Sequence, residues 1–363
     1  LREIRSSLDV ASARFSRDAR EVYIASDAEW LSAWHLNVES GAIELSSERF
    51  HPTDLLFAPN GLQLVAAAGG REGQLRSWPV GRYSQLAHRL ISRDRGDVDR
   101  AMALQPRESK FLGALHTEGD TAVAINPGGK YITFGTREGH IAHRDLETGK
   151  DLGGFQVAEW PEGVGTLAYR PDGTTLVATG RGDVAGRDAL VLNAETGAIV
   201  RRLTGHSREI THTVFSQNGR CIATGSRDES IRIMDAQTGA TMSVLEESHP
   251  RHVREFALDP TGDLVTRTAN AVIYVQRTDP GNEVIYLLTG TTGEANSMTF
   301  NHDGTRLAAI SDVDTVIFDM TTGVKLLALP HGGSQVRFSP DGKVLATLGH
   351  DGRIMLWHSL PWK

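Results

Sequence analysis

A short turn signature, polar-Pro-polar-Gly, recurs along the chain, each copy just after an apolar residue and just before a short apolar run. Four copies are near identical: Ala58-Pro59-Asn60-Gly61, Arg170-Pro171-Asp172-Gly173, Asp259-Pro260-Thr261-Gly262 and Ser339-Pro340-Asp341-Gly342. Four more keep part of it: Ser16-Arg17-Asp18-Ala19, Asn126-Pro127-Gly128-Gly129, Ser216-Gln217-Asn218-Gly219 and Asn301-His302-Asp303-Gly304. Proline presets one backbone angle and glycine accepts the left-handed one, so each copy reads as a tight hairpin between two strands.

The apolar anchors before these turns set a period: Phe15, Phe57, Ile125, Tyr169, Phe215, Leu258, Phe300 and Phe338. Apart from one gap they lie about 38 to 46 residues apart, which matches a four-stranded propeller blade. A β-rich run such as Leu176-Val177-Ala178-Thr179 follows each turn, and then a second alternating run such as Ile231-Arg232-Ile233-Met234. Thr-Gly turns often end the unit, as at Thr148-Gly149, Thr196-Gly197, Thr238-Gly239 and Thr322-Gly323. The interval from Phe57 to Ile125 is about 24 residues too long, and it predicts an inserted hairpin over 93–119, with a decayed ninth repeat as the alternative.

The expected fold is all-β: a single domain, 1–363, forming a closed propeller of eight four-stranded blades, with seven or nine as alternatives. The last repeat stops after its third strand, Ile354-Met355-Leu356-Trp357, so the strand-like Leu1 to Ser7 is expected to complete that blade. Such closure removes the exposed edge of an open array.

With this period the sequence resembles the WD-repeat β-propeller family over nearly its whole length. The strongest copy runs from Leu203-Thr204-Gly205-His206 through Phe215-Ser216 to Thr224-Gly225-Ser226-Arg227-Asp228 and Ile231-Arg232-Ile233-Met234-Asp235. In that family a Gly-His pair, a Ser or Thr on the second strand, an Asp in the next turn and a Trp form a buried hydrogen-bonded network. The resemblance assigns three of the four places to His206, Thr224 and Asp228, with Met234 replacing the Trp, and gives Thr347, Asp351 and Trp357 the same places in the last copy. Trp34, Trp78 and Trp357 are followed by His or Pro rather than Asp, so the motif is degenerate and of a style also found in bacterial proteins.

Arg71, Arg137, Arg227 and His350 each stand just before the acidic turn position of their repeats, and Arg181 and Arg187 lie in the equivalent loop of another. In a WD-repeat ring these turns gather around one mouth of the central channel, which would concentrate positive charge on a protein of net charge -7. The plainer reading pairs each Arg with a neighbouring acid on a solvated rim. His206 with Asp228 could likewise suggest acid–base chemistry, but a fold-specific network satisfies such buried groups without a substrate.

The acidic balance argues against general nucleic-acid binding, which normally shows a strongly basic domain. A lone cysteine, Cys221, allows no intrachain disulfide and no thiolate metal centre, and it points to a reducing compartment, the cytoplasm. No segment has the apolar length of a bilayer span, and no metal, cofactor or catalytic motif is recognisable. The expected function is a non-catalytic protein–protein interaction, scaffold or sensor module, the C-terminal part of a larger multidomain, bacterial polypeptide. Its expected partner is an acidic or phosphorylated protein segment, or a domain of the same polypeptide. The alternative is a propeller enzyme or small-ligand binder using the channel mouth.

Overall fold

A computed structural model describes residues 10–15, 21–26, 32–35, 42–44, 52–68, 70–80, 110–117, 122–246, 255–269 and 271–358. At the N-terminal end, β1 (Val10–Phe15), β2 (Glu21–Ser26) and β3 (Ser32–His35) form a three-stranded antiparallel sheet, and β4 (Ala42–Glu44) follows. The first blade is β5 (Asp54–Phe57), β6 (Leu64–Ala68), β7 (Gly70–Trp78) and β8 (Lys110–Thr117). The second is β9 (Val123–Ile125), β10 (Tyr131–Gly135), β11 (His140–Asp145) and β12 (Asp151–Gln156). The third is β13 (Val164–Tyr169), β14 (Thr175–Gly180), β15 (Ala189–Asn193) and β16 (Ile199–Leu203). The fourth is β17 (Ile210–Phe215), β18 (Cys221–Ser226), β19 (Ser230–Asp235) and β20 (Thr241–Glu246). The fifth is β21 (Phe256–Leu258), β22 (Leu264–Ala269), β23 (Val272–Arg277) and β24 (Val284–Leu288). The sixth is β25 (Ser297–Phe300), β26 (Arg306–Ile310), β27 (Thr315–Asp319) and β28 (Val324–Leu329). The seventh takes three strands from the end of the chain, β29 (Gln335–Phe338), β30 (Val344–Leu348) and β31 (Ile354–His358), and its fourth, β4, from near the beginning.

All eight anchors are the last residues of first strands, yet the ring has seven blades. First strands neighbour one another in the cycle β5, β9, β13, β17, β21, β25, β29 and back to β5, so the circle closes without β1–β3. This corrects the expected count of eight, and the cause is topological. The first repeat gives its fourth strand to the last blade, pairing Met355 with Glu44, Leu356 with Ile43 and Trp357 with Ala42. The closing strand is therefore β4 and not Leu1 to Ser7, a segment that lies outside the described residues. Within 93–119, expected to be an inserted hairpin, Lys110–Thr117 is the fourth strand of the first blade, and 93–109 lies outside the described residues.

Burial explains the sequence pattern. A second strand is sandwiched between neighbouring blades on both faces, so β6, β18 and β30 are buried at every position and read as continuous apolar runs. Outer strands face solvent, and β12 is exposed along most of its length. The seam between the last and first blades has a core like the others: Leu55, Leu64, Ala66 and Trp78 pack with Val344, Leu348, Ile354 and Leu356. The anchoring turns work as their composition demands. In one, Gly173 takes a φ of 74° while Asp172 accepts hydrogen bonds from the Thr174 amide at 2.9 Å and its hydroxyl at 2.7 Å.

Candidate interaction surface at the channel mouth

Strands within a blade alternate in direction, so first strands begin, second strands end and third strands begin at the same mouth of the channel. His206 lies in the loop entering β17, and Asp228 in the turn between β18 and β19. Asp228 accepts hydrogen bonds from the Ser207 amide at 2.9 Å and the Ser230 hydroxyl at 2.7 Å, and lies 3.0 Å from His206 Nδ1. Burial alone would raise its pKa, but these donors and His206 outweigh burial and hold it at about 2. Burial also lowers the pKa of His206, against the attraction of Asp228, so its imidazole is neutral. With a carboxylate that can only accept, Nδ1 donates to Asp228, and Nε2 accepts from the Thr224 hydroxyl at 2.8 Å. Both ring nitrogens of His206 and the Asp228 carboxylate are thus committed within the blade.

Replacing Asp228 by alanine should cost about 1 to 3 kcal/mol of unfolding free energy at pH 7, because His206 Nδ1 and the Ser207 amide lose their acceptor. The carboxylate pKa is lower in the folded than in the unfolded state, so its contribution is complete above the unfolded value of about 4 and disappears as pH falls through about 2. Unfolding measured at pH 7 and pH 3 should show the gap between parent and variant narrowing. A constant gap would remove the charge from the explanation.

The last blade has a counterpart. Trp357 Nε1 donates to the Thr347 hydroxyl at 3.0 Å, which lies 3.0 Å from His331 Nδ1. Asp351 accepts from the Arg353 amide at 3.0 Å and pairs with its guanidinium at 3.2 Å. Sequence reading overlooked His331, although Pro330-His331 occupies the loop before β29 as Gly205-His206 does before β17.

The basic residues singled out from the sequence are placed as follows. Arg137, Arg187 and Arg227 are exposed in mouth-side turns of the second, third and fourth blades. Arg181 is half-buried and donates through Nε to the Val164 carbonyl at 3.1 Å. Arg227 pairs with Glu209 at 3.2 Å, and His350, in the seventh blade, with Asp312 at 3.0 Å. The Arg71 side chain lies outside what is described. Two further arginines join the same arc: Arg208 pairs with Asp183 at 3.2 Å and Arg202 with Glu159 at 2.5 Å. The arginines therefore lie on one side of the mouth, on the second to fourth blades, with acids interleaved.

Inside the mouth is a second feature that sequence reading missed. The residues three places before the seven ring anchors are Asp54, Ala122, Thr166, His212, Glu255, Ser297 and Gln335, one per blade. Six of the seven are polar. Gln335 bridges the closing seam, donating to the Thr53 carbonyl at 3.1 Å and accepting from the Leu55 amide at 3.2 Å. Arg337, two residues on, donates to the Ser297 hydroxyl at 2.8 Å and lies 4.0 Å from Asp54 and 3.9 Å from Glu255. Ser297 donates to Glu255 at 3.2 Å, and His212 approaches the other Glu255 oxygen at 3.7 Å. Thr166 meets Thr213, the residue after His212, at 2.9 Å. Burial raises the Asp54 pKa above the ordinary carboxylate value, although Arg337 and the Leu55 amide oppose it. A polar collar thus runs through six blades and is interrupted at Ala122. Each member stands alone in its own repeat, and only alignment on the anchors brings them together.

Among the described residues no group of three or more His, Cys, Asp or Glu could hold a metal ion. Nor is any helix among them long and apolar enough to cross a membrane.

The architecture is that of a seven-bladed β-propeller with blade-internal His–Asp and His–Thr–Trp networks. A family model, described as WD domain, G-beta repeat, matches residues 197–235 and 327–358, the two segments that carry those networks. The chain carries WD repeats in these two segments, and its fold is the β-propeller. It is similar to periodic tryptophan protein 2 of Arabidopsis thaliana, 26% identical over 66% of this chain and 27% of that protein. It is also similar to telomerase protein component 1 of Mus musculus, 24% identical over 72% of the chain and 10% of that protein. A third relative is the U3 small nucleolar RNA-associated protein 21 homolog of Schizosaccharomyces pombe, 28% identical over 49% of the chain and 19% of that protein. The chain spans about a quarter or less of the length of these relatives, and all three come from eukaryotes, which lends no support to the bacterial origin expected from the repeat style.

Proposed function

We propose that this ring is a non-catalytic scaffold module that presents its basic mouth-side arc to a protein partner. The carrying observation is geometric: Arg137, Arg187, Arg208 and Arg227, far apart in sequence, stand on three adjacent blades around one mouth. The polar groups that could have served catalysis, His206 and Asp228, are committed to their own blade, which supports a binding role over a chemical one. Acidic or phosphorylated segments fit such an arc, because a guanidinium pairs bidentately with carboxylate and phosphate. Relatives named for small nucleolar RNA and telomerase suggest a place in a large assembly, reached through its proteins, since this chain is acidic overall. Similarity to a fraction of much longer proteins supports its being one part of a multidomain polypeptide. The single cysteine, buried and free, suits a reducing compartment such as the cytoplasm.

The test is to recover the partner with the native protein and titrate it at two salt concentrations. Reversing Arg137 and Arg227 to Glu should slow association roughly tenfold at low salt and flatten its salt dependence. Substituting Asp172 and Asp341, in turns at the opposite mouth, should leave binding unchanged. Equal affinities for all variants would remove the arc as the binding surface.

A further inference from the structure

The sheet β1–β3 has the internal register of a finished blade. Phe15 and Trp34 both pair with Val22 on the strand between them. Phe57 and Trp78 pair in the same way with Leu64 in the first blade, and Phe338 and Trp357 with Leu345 in the last. The anchor and the tryptophan thus face one second-strand residue in all three sheets. What differs is the outer edge. The seventh blade also owns only three consecutive strands, and a strand from far upstream covers β31. The strand that would have covered β3, its successor β4, is the one the seventh blade has taken. Among the described residues β3 pairs on one side only.

We propose that β1–β3 is the terminal blade of a second propeller ring, and that the outer edge of β3 is a docking site for a strand from an upstream part of the same polypeptide. The ring's own rule identifies the occupant. The strand just before a first strand always belongs to the neighbouring blade: β4 precedes β5 but joins the seventh blade, and β8 precedes β9 but stays in the first. A strand lying directly ahead of β1 would therefore belong to the blade before it, not to β3. The donor for a terminal blade is the strand ahead of its ring's first blade, as β4 is for this ring. For β1–β3 that strand lies several repeats upstream. It is a short β-rich segment running antiparallel to β3, held by main-chain hydrogen bonds. The two rings would then meet at the link between β3 and β4, each closed by a strand from its own N-terminal side. The proposal rests on the reading of this chain as part of a longer polypeptide, and it is independent of what the channel mouth binds.

Hydrogen exchange at the amides of Ser32–His35 tests it. The 363-residue chain and the full polypeptide encoded by the native gene would be compared at several protein concentrations. Alternate β3 amides should exchange roughly a hundredfold or more slower in the full polypeptide than in the 363-residue chain, while β31 amides stay slow in both. Equal protection in both forms would show that this chain covers its own edge and would overturn the proposal. Protection of the 363-residue chain that grows with concentration would replace the upstream strand by a second copy. Fast exchange in both forms, or a native gene with no propeller repeats upstream of Leu1, would also overturn it. Of these outcomes only the last bears on the multidomain reading.

Discussion

A proline at position 43 should open the ring. Ile43 is the central residue of the closing strand and faces Leu356, so Ile43→Pro removes a ladder donor and the strand can no longer follow β31. Uncovering β31 and part of the seam core should cost about 3 kcal/mol or more. For a chain of 363 residues the melting temperature should fall by roughly 4 °C or more. The opened blade presents an unpaired edge, so the variant should also self-associate, visible by sedimentation. Deleting residues 1–7 leaves the pairing of β4 with β31 in place and should do neither. An Ile43→Pro variant that melts and sediments like its parent would place ring closure elsewhere.

The collar should prove nearly as sensitive at a single side chain. Arg337→Met keeps the length and apolar stem of the side chain but removes the cation that stands between Asp54 and Glu255, and leaves the Ser297 hydroxyl without its donor. Breaking a largely buried pair by removing one partner costs about 3 kcal/mol, and the 24% exposure of Arg337 places this site toward the lower end of such losses. The loss should shrink toward pH 4, because the Asp54 carboxyl, whose pKa burial raises, can then take up a proton and no longer needs the cation. A companion substitution has the opposite sign. The Asp54 pKa is raised by folding, so the folded state gains from its protonation below the unfolded value and loses that gain as pH rises through the folded value. Asp54→Asn, which keeps the neutral form at every pH, should therefore be neutral or stabilising at pH 7. If Asp54→Asn destabilises at pH 7 as strongly as Arg337→Met, the carboxylate is a necessary half of the pair and the burial argument fails.

The repeat was legible down to single residues: each anchor chosen from the turn signature ends a first strand, because the turn fixes where that strand must stop. Blade count was not legible, because repeats and blades are different units. A repeat is counted along the chain, whereas a blade is completed through space, and the transfer of β4 to β31 turns eight repeats into seven blades and a three-stranded sheet. Nothing in Ala42-Ile43-Glu44 distinguishes it locally from any other fourth strand. The His206–Asp228 contact could be read from the family motif, since motif and network lie within one repeat. Glu255, Arg337 and Asp54 could not, because three separate repeats supply them and none carries a partner in its own neighbourhood.

The clasp has a cost in time. Strand β4 leaves the ribosome about 310 residues before β31, and at roughly 5 to 20 residues per second its partner arrives about 15 to 60 s later. Six blades can assemble in that interval, each from consecutive sequence, while a short β-rich strand waits unpaired on their N-terminal side. Neighbouring ribosomes on one message would hold several such strands close together, each able to pair with the unfinished blade of another copy. The window ends when β31 emerges and takes up the waiting strand, so this interval of synthesis is when the ring most needs a chaperone.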